Sequence, residues 1–256
     1  MNNKLLRKTG PPLLAVLLLL VIWELYVTAY QVEAWLLPAP TAILREAIVN
    51  WSRVQLHTLA TLEIALLGFV LGTVVGLALA VVLHSLFPPL RQALYPLIIL
   101  SQNIPIIALA PLLVVWLGFG MLPKVLLIAL MCFFPILIAA LQGLDYPNGA
   151  MLDYMRMIGA KPAQIFLMLE LPNSLPHVFS GLKVAATYSM MGAVISEWLG
   201  AQQGLGVYMR LAASSFRTDR VFVCIFIIVA LSLLFFAGIA YLERKLIRWN
   251  SQGEER

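Results

Sequence analysis

Charge is what this sequence has least of: Asp, Glu, Lys and Arg make up 11% of its 256 residues, against 62% hydrophobic residues. Soluble domains carry about a quarter charged residues, so a fold surrounded by water is excluded and a bilayer is the expected solvent. Cysteine is also scarce. Cys132 and Cys224 stand far apart in apolar runs, a spacing that fits neither a metal site nor a redox pair, and both are expected to act as small apolar side chains. The motifs of group transfer are missing as well. No G-x-x-x-x-G-K-[ST] loop is present to cradle nucleotide phosphates. His57, His84 and His177 are scattered, with no H-E-x-x-H helix among them. Val178 stands two residues before Ser180, so Ser180-Gly181 is not the core of a G-x-S-x-G elbow. No enzyme activity, resident cofactor or metal is therefore expected of this chain.

What the sequence does have is apolar length. A membrane-crossing helix needs about 20 mostly apolar residues, and six stretches qualify: Pro12–Tyr30, Leu56–Phe87, Leu90–Trp116, Leu122–Leu144, Val178–Leu199 and Val221–Leu242. The expectation is an all-α membrane protein of six transmembrane helices, forming one domain over residues 1–256. No alternating ten-residue pattern suggests a barrel. The first stretch follows a basic start as a signal peptide would, but Glu24 and the lack of small residues at a cleavage position point to a retained helix. With both termini cytoplasmic, the inside receives Lys4, Arg7, Lys8, Arg91, Arg156, Lys161, Lys183, Arg244, Lys245, Arg248 and Arg256. The outside receives Arg45, Arg53, Lys124, Arg210, Arg217 and Arg220, and eleven against six favours that orientation. The net charge of +5 is thus a topology signal rather than a nucleic-acid footprint.

Within this frame several residues stand out. Pro38-Ala39-Pro40 launches a short segment, Thr41 to Trp51, with Ile43, Leu44, Ala47, Ile48 and Trp51 at helical spacing; it is expected to lie along the outer interface with Thr41 as its cap. Gly68, Gly72 and Gly76 form a small-xxx-small stripe on which another helix can pack closely, or a hinge for gating. Pro96, Pro105, Pro111 and Pro135 predict bends or breaks in the third and fourth spans. Ser101, Gln102 and Asn103 are consecutive polar side chains in an apolar run, and either line a water-filled transport path or bond between helices. Glu24 and Glu63 are expected near the outer interface. Glu197, before Gly200, Gly204 and Gly206, is either solvated at that interface or an outer gate or solute contact.

The residues between the fourth and fifth spans, 145–177, are too many for a simple connector. Met151, Leu152, Met155 and Ile158 recur at i, i+1, i+4 and i+7, with Asp153 and Arg156 at the edges of that face: a short helix-in-groove ligand. Gly159 permits a sharp turn and Ala160 close approach. Pro162 opens a second short helix, Ala163 to Glu170, which Leu171-Pro172 is expected to stop. Two short helices at an angle make a rigid lever able to pass force from a soluble partner to the fifth span. An amphipathic hairpin lying on lipid would need a Lys/Arg-rich polar face, which is absent.

The spacing of Asp153-Tyr154-Met155, Gly159 and Leu169-Glu170-Leu171-Pro172 resembles the cytoplasmic EAA signature of ABC importer permeases. Trp23-Glu24, Pro38-Ala39-Pro40, Ser101 to Pro105 with Pro111, and Glu197 to Ala201 followed by Gly204-Leu205-Gly206 are similar to the nitrate/sulfonate/taurine group of that family. Ser101–Leu112, Cys132–Ile136 and Ala185–Gly200 look most like permeases for thiamine-pyrimidine precursors. Tyr154 and Met155 depart from the signature, standing where it has two small alanines. The resemblance implies a type I ABC importer permease fold in the inner membrane, with a coupling-helix loop. It also implies a second copy as homodimer partner, an ATPase subunit that binds the ATP and Mg and is contacted through Asp153–Pro172, and an external solute-binding protein. Amides and a hydroxyl such as Gln102, Asn103 and Ser101 suit a neutral pyrimidine, and the central spans offer no basic residue for a sulfonate or nitrate. A secondary transporter would show inverted halves and paired mid-membrane charges, neither of which is evident. An intramembrane hydrolase would have to pair Ser101 with His57 or His84.

Overall fold

The computed structural model describes residues 2–86, 88–145 and 149–247. Arg248 and Arg256 of the charge count, and Phe87 at the end of the expected second span, lie outside them. Most of the described residues are helical and none is in a strand: α1 (Asn2–Ala29), α2 (Pro40–Val49), α3 (Trp51–Ser85), α4 (Pro88–Gln102), α5 (Ile106–Leu117), α6 (Met121–Asp145), α7 (Gly149–Met157), α8 (Pro162–Ile165), a π-helical turn Phe166–Glu170, α9 (Leu171–Glu197), α10 (Leu205–Ser214) and α11 (Thr218–Leu246). Among them, α3, α6, the continuous Pro162–Glu197 helix and α11 are each long and apolar enough to cross a bilayer. The third expected span is broken, its halves Pro96–Gln102 and Ile106–Leu117 meeting at 87°. The first contributes a shorter apolar stretch, Leu14–Ala29.

The core lies where α6 packs between α3 and α9. Ile64, Ala65, Ile128, Cys132, Ile136, Ala185, Met190 and Ala193 form its centre, and Cys132 is a fully buried thiol there. The glycine stripe of α3 is what lets α6 come close. A Cβ on Gly68 would sit 2.4 Å from Ile128 Cβ, one on Gly72 2.6 Å from the Ala129 carbonyl oxygen, and one on Gly76 3.1 Å from that of Phe133. Lipid gives helices no hydrophobic reason to associate, so this backbone approach and the dispersion contacts it permits hold the pair together. The stripe is therefore a packing seam in this structure.

The break between α4 and α5 is also explained locally. Pro105 has no N–H to continue a helix and sits at the N-cap of α5. Among the carbonyls released at the end of α4, Ile99 O accepts from Asn103 Nδ2 at 2.9 Å and Leu100 O from Asn103 N–H at 3.1 Å, while Ser101 Oγ bonds back to Ile98 O at 2.7 Å. Two of the three polar residues thus serve the break itself, while Gln102 is exposed.

Helix α2 is not a free interfacial helix. Ile43 is buried with Val54, Leu205, Tyr208, Val223 and Cys224, while Leu44, Ile48 and Trp51 stay exposed. Its N-terminus is capped from α1 rather than by Thr41: the Glu24 carboxylate accepts the Thr41 N–H at 3.0 Å and the Thr41 hydroxyl at 2.7 Å. A carboxylate at a helix N-terminus is favoured by both the open N–H groups and the helix dipole. Glu46 of α2 also accepts from Arg220 at 2.7 Å and lies 3.1 Å from Arg217, which pairs with Asp219 at 2.9 Å. Arg217 and Arg220, two of the six basic residues assigned to the outside, are thereby neutralised in place. Hydrogen bonds to Asp219 raise the Arg217 pKa further above its ordinary value.

Candidate functional site

The expected docking segment stands at one end of the bundle. Helix α7 closes with a Schellman turn: Ala160 N–H donates to Met155 O at 3.0 Å, Gly159 N–H donates to Arg156 O at 3.0 Å, and Gly159 takes φ +77°. That left-handed conformation is why the position needs glycine. The outward apolar face differs from the one periodicity suggests. Tyr154, Met157 and Ile158 are 54, 80 and 62% exposed beside Met151, whereas Leu152 and Met155 turn half-buried toward the body of the protein. Asp153 and Arg156 form an exposed i,i+3 pair at 3.9 Å, too long and too solvated to fix anything.

The second expected correction concerns Pro172. It does not stop a helix: α8, the π turn and α9 run on as one rod from Pro162 to Glu197. Lys161 N–H donates to the Gln164 side chain at 2.8 Å at its start. Immediately before Pro172, Leu171 N–H reaches Phe166 O, an i→i−5 bond. Widening the helix by one residue here accommodates a proline that can neither donate nor fit the regular turn. The Pro162–Glu170 segment is thus continuous with a membrane span, and α7 joins it through the Gly159 turn.

One residue that sequence reasoning passed over ties this rod to the bundle. His84, at the end of α3, places Nδ1 3.1 Å from Asp145 Oδ1 at the end of α6, and Nε2 2.9 Å from Glu170 Oε2 in the π turn. Only the doubly protonated ring can donate to both carboxylates at once. All three side chains are about one-fifth exposed, so the contacts are substantially desolvated. Three elements are clamped at one imidazole. Lys183 adds a 2.9 Å pair to Glu243, joining α9 to α11.

At the far end, Glu197 is fully buried, which overturns the solvated reading of it. Its Oε1 accepts from the Thr61 hydroxyl at 2.6 Å and its Oε2 from Gly206 N–H at 2.6 Å. Leu205 N–H donates to Thr61 Oγ1 at 2.7 Å, and Gly204 N–H to His57 Nδ1 at 3.0 Å, so the imidazole carries its proton on Nε2. Three consecutive N–H groups opening α10 are therefore capped by side chains from two other helices. Gly204, at φ +129°, lies where a Cβ would fall 2.1 Å from the Glu197 carboxyl carbon, so no other residue fits beside that carboxylate. Trp198 Nε1 donates to Gly206 O at 3.2 Å, and Arg210 donates to Trp198 O at 2.9 Å, closing the end of α9. The run from Glu197 to Gly206 is a loop lock.

No hydrogen bond among the described residues joins Ser101, Gln102 or Asn103 to Glu197. Ser101 is bonded within its own helix, His57 is engaged by Gly204, and His84 by two carboxylates, so the hydrolase pairing does not form. No group of three or more His, Cys, Asp or Glu among the described residues is arranged to hold a metal.

Comparison with known proteins accords with this architecture. Residues 68–248 match the family model described as binding-protein-dependent transport system inner membrane component. The formylaminopyrimidine transport permease protein of Halalkalibacterium halodurans is 37% identical over 94% of this chain and 96% of its own length. The putative aliphatic sulfonates transport permease protein of Bacillus subtilis is 30% identical, covering 92% and 86% respectively. Among solved structures, an amino acid ABC transporter crystallised with histidines matches with a TM-score of 0.62 at 16% identity, over 80% of this chain and 97% of that one, which shows a shared fold. The chain accordingly belongs to the inner-membrane permeases of binding-protein-dependent ABC importers, in the nitrate/sulfonate/taurine group, with the type I importer fold.

Proposed function

We propose that this permease works as one of two identical copies, with both termini and the 149–170 segment in the cytoplasm. An ATPase subunit docks on Met151, Tyr154, Met157 and Ile158, and an external binding protein delivers a thiamine-pyrimidine precursor. Asp153, Arg156, Gly159, Ala160 and Pro172 shape the docking segment. Leu152 and Met155 seat it against the bundle. ATP and Mg are held by the ATPase.

The observation that carries this reading is the rod from Pro162 to Glu197. Helix α7, joined to the docking end of the rod through the Gly159 turn, has an exposed apolar face at helical spacing, and the rod's other end carries the carboxylate that locks the Gly204–Gly206 loop. Movement of a docked ATPase passes from α7 through the Gly159 turn and then along a single helix to the opposite mouth, so the two ends can alternate between inward-open and outward-open packings. A solute must be held loosely in at least one of these states in order to leave. Gln102, exposed at the α4–α5 break, is the side chain of its triplet best placed to meet solute. The pyrimidine assignment rests on the 37% identity to a formylaminopyrimidine permease, against 30% for an aliphatic sulfonates permease.

The test is ATP-driven uptake by the assembled importer in proteoliposomes, with formylaminopyrimidine and pentanesulfonate offered separately. Uptake of the pyrimidine alone is expected. Uptake of the sulfonate alone overturns the solute, and uptake of either without ATP overturns the importer role.

A further inference from the structure

A cavity of about 450 Å³ opens at the far end, between α3, the α5–α6 turn and the loop after Glu197. This lies within the range of about 300–1,000 Å³ usual for small-molecule sites. Its polar lining comes from Glu63 of α3, Lys124 of α6, and Gln202 and Gln203 of the loop. Neither Glu63 nor Lys124 forms a hydrogen bond or ion pair with another described residue, although they face one cavity. One wall is the ring of Phe119, which stands between Gly118 (φ +78°) and Gly120 (φ +156°) and lies so close over Gly200 that a Cβ there would meet it at 2.8 Å.

We infer that this cavity is a solute station for small molecules that bear both donor and acceptor groups but no net charge. The inference rests on the proposal above that the chain passes a solute. Opposite charges lining one cavity make the site amphoteric: an anion attracted by Lys124 is repelled by Glu63, and a cation the reverse. A solute that is neutral, or carries both signs, satisfies both groups. The two glutamine amides each offer a donor and an acceptor, and the Phe119 face offers a flat apolar surface to a planar ring. The site adjoins the loop locked by Glu197, so its walls shift with the far end of the Pro162–Glu197 rod.

The test exploits the two native thiols being buried. Gln203→Cys places one accessible thiol in the cavity wall of the full-length permease, assembled with its ATPase in proteoliposomes, and its rate of maleimide labelling is followed. At ten times its Kd a bound solute slows labelling about tenfold by simple occupancy. Formylaminopyrimidine or the zwitterion taurine is expected to protect, each source being distinguished in its own arm, and pentanesulfonate is not. Adding Glu63→Gln should extend protection to pentanesulfonate, and adding Lys124→Gln should not. No protection by either net-neutral probe, with ATP-driven uptake of one of them intact in the same vesicles, overturns the station and leaves the importer reading standing. Protection by pentanesulfonate alone overturns the amphoteric assignment. Protection without ATP-driven uptake leaves the station and overturns the importer reading on which its transport role rests.

Discussion

Replacing His84 with Ala removes the clamp where α3, α6 and the π turn meet, and its cost follows from the geometry. With the ring gone, the Asp145 and Glu170 carboxylates that shared it are left as like-charged neighbours in a partly desolvated site, a repulsion of about 2 kcal/mol at an effective dielectric near 20. Two imidazole–carboxylate contacts, of 3.1 and 2.9 Å, are lost at the same time. Water reaches these partly exposed groups and offsets much of that loss, leaving about 1 kcal/mol more. The seating of the docking segment on the bundle should weaken by about 3 kcal/mol, on the order of a hundredfold in equilibrium. The expected phenotype is uncoupling: in proteoliposomes holding the assembled importer, ATP hydrolysis persists while solute imported per ATP falls at least several-fold. His84→Gln, which keeps one donor, should fall between Ala and the wild type. An unchanged ratio of solute to ATP in His84→Ala, in protein of unchanged Tm, refutes the clamp as a coupling element.

Two further substitutions address the packing seam and the loop lock. Gly72→Ala pushes a methyl to 2.6 Å from the Ala129 carbonyl oxygen and should destabilise the detergent-solubilised protein by about 1–3 kcal/mol, read as a lowered Tm. Gly238→Ala, with nothing within 4 Å, should leave Tm unchanged, and equal effects from the two would discredit the seam. Glu197→Ala strips acceptors from Thr61 and Gly206 in a buried site, a loss of about 2–4 kcal/mol. Amide exchange at Gly204–Gly206 should accelerate with it; exchange as slow as in the wild type would show that the carboxylate does not hold the loop.

Much of this was legible in the sequence because bilayer physics leaves few options. Apolar length located four of the six expected spans as long helices, while the third is broken at 87° and the first is short; the glycine stripe of α3 marked its packing side. Gly159 was readable as a turn because few other residues tolerate φ +77°. What was not legible depended on contacts between distant positions. His84 looked like a stray histidine at a helix end, since its partners lie 61 and 86 residues away. Glu197 resembled an interfacial acid because its burial depends on Thr61, 136 residues earlier, and on a glycine loop folding back over it. Pro172 was misread as a stop because a π turn, which local propensity does not announce, absorbs it. The outward apolar face of α7 differs from the periodic one for a related reason: Leu152 and Met155 are apolar like their neighbours, and only the packed bundle decides which apolar residues face inward.

The most direct test of the account is recovery of an ATPase subunit with the tagged permease from detergent-solubilised membranes, comparing the wild type with Met157→Ser/Ile158→Ser and with Gly159→Pro. The two serines remove apolar groups from the docking face, and proline cannot adopt the conformation of Gly159. The account predicts that the ATPase accompanies the wild type and is lost from both variants at equal permease yield and Tm. An ATPase retained equally by both variants, or absent from an intact wild-type preparation, would contradict it.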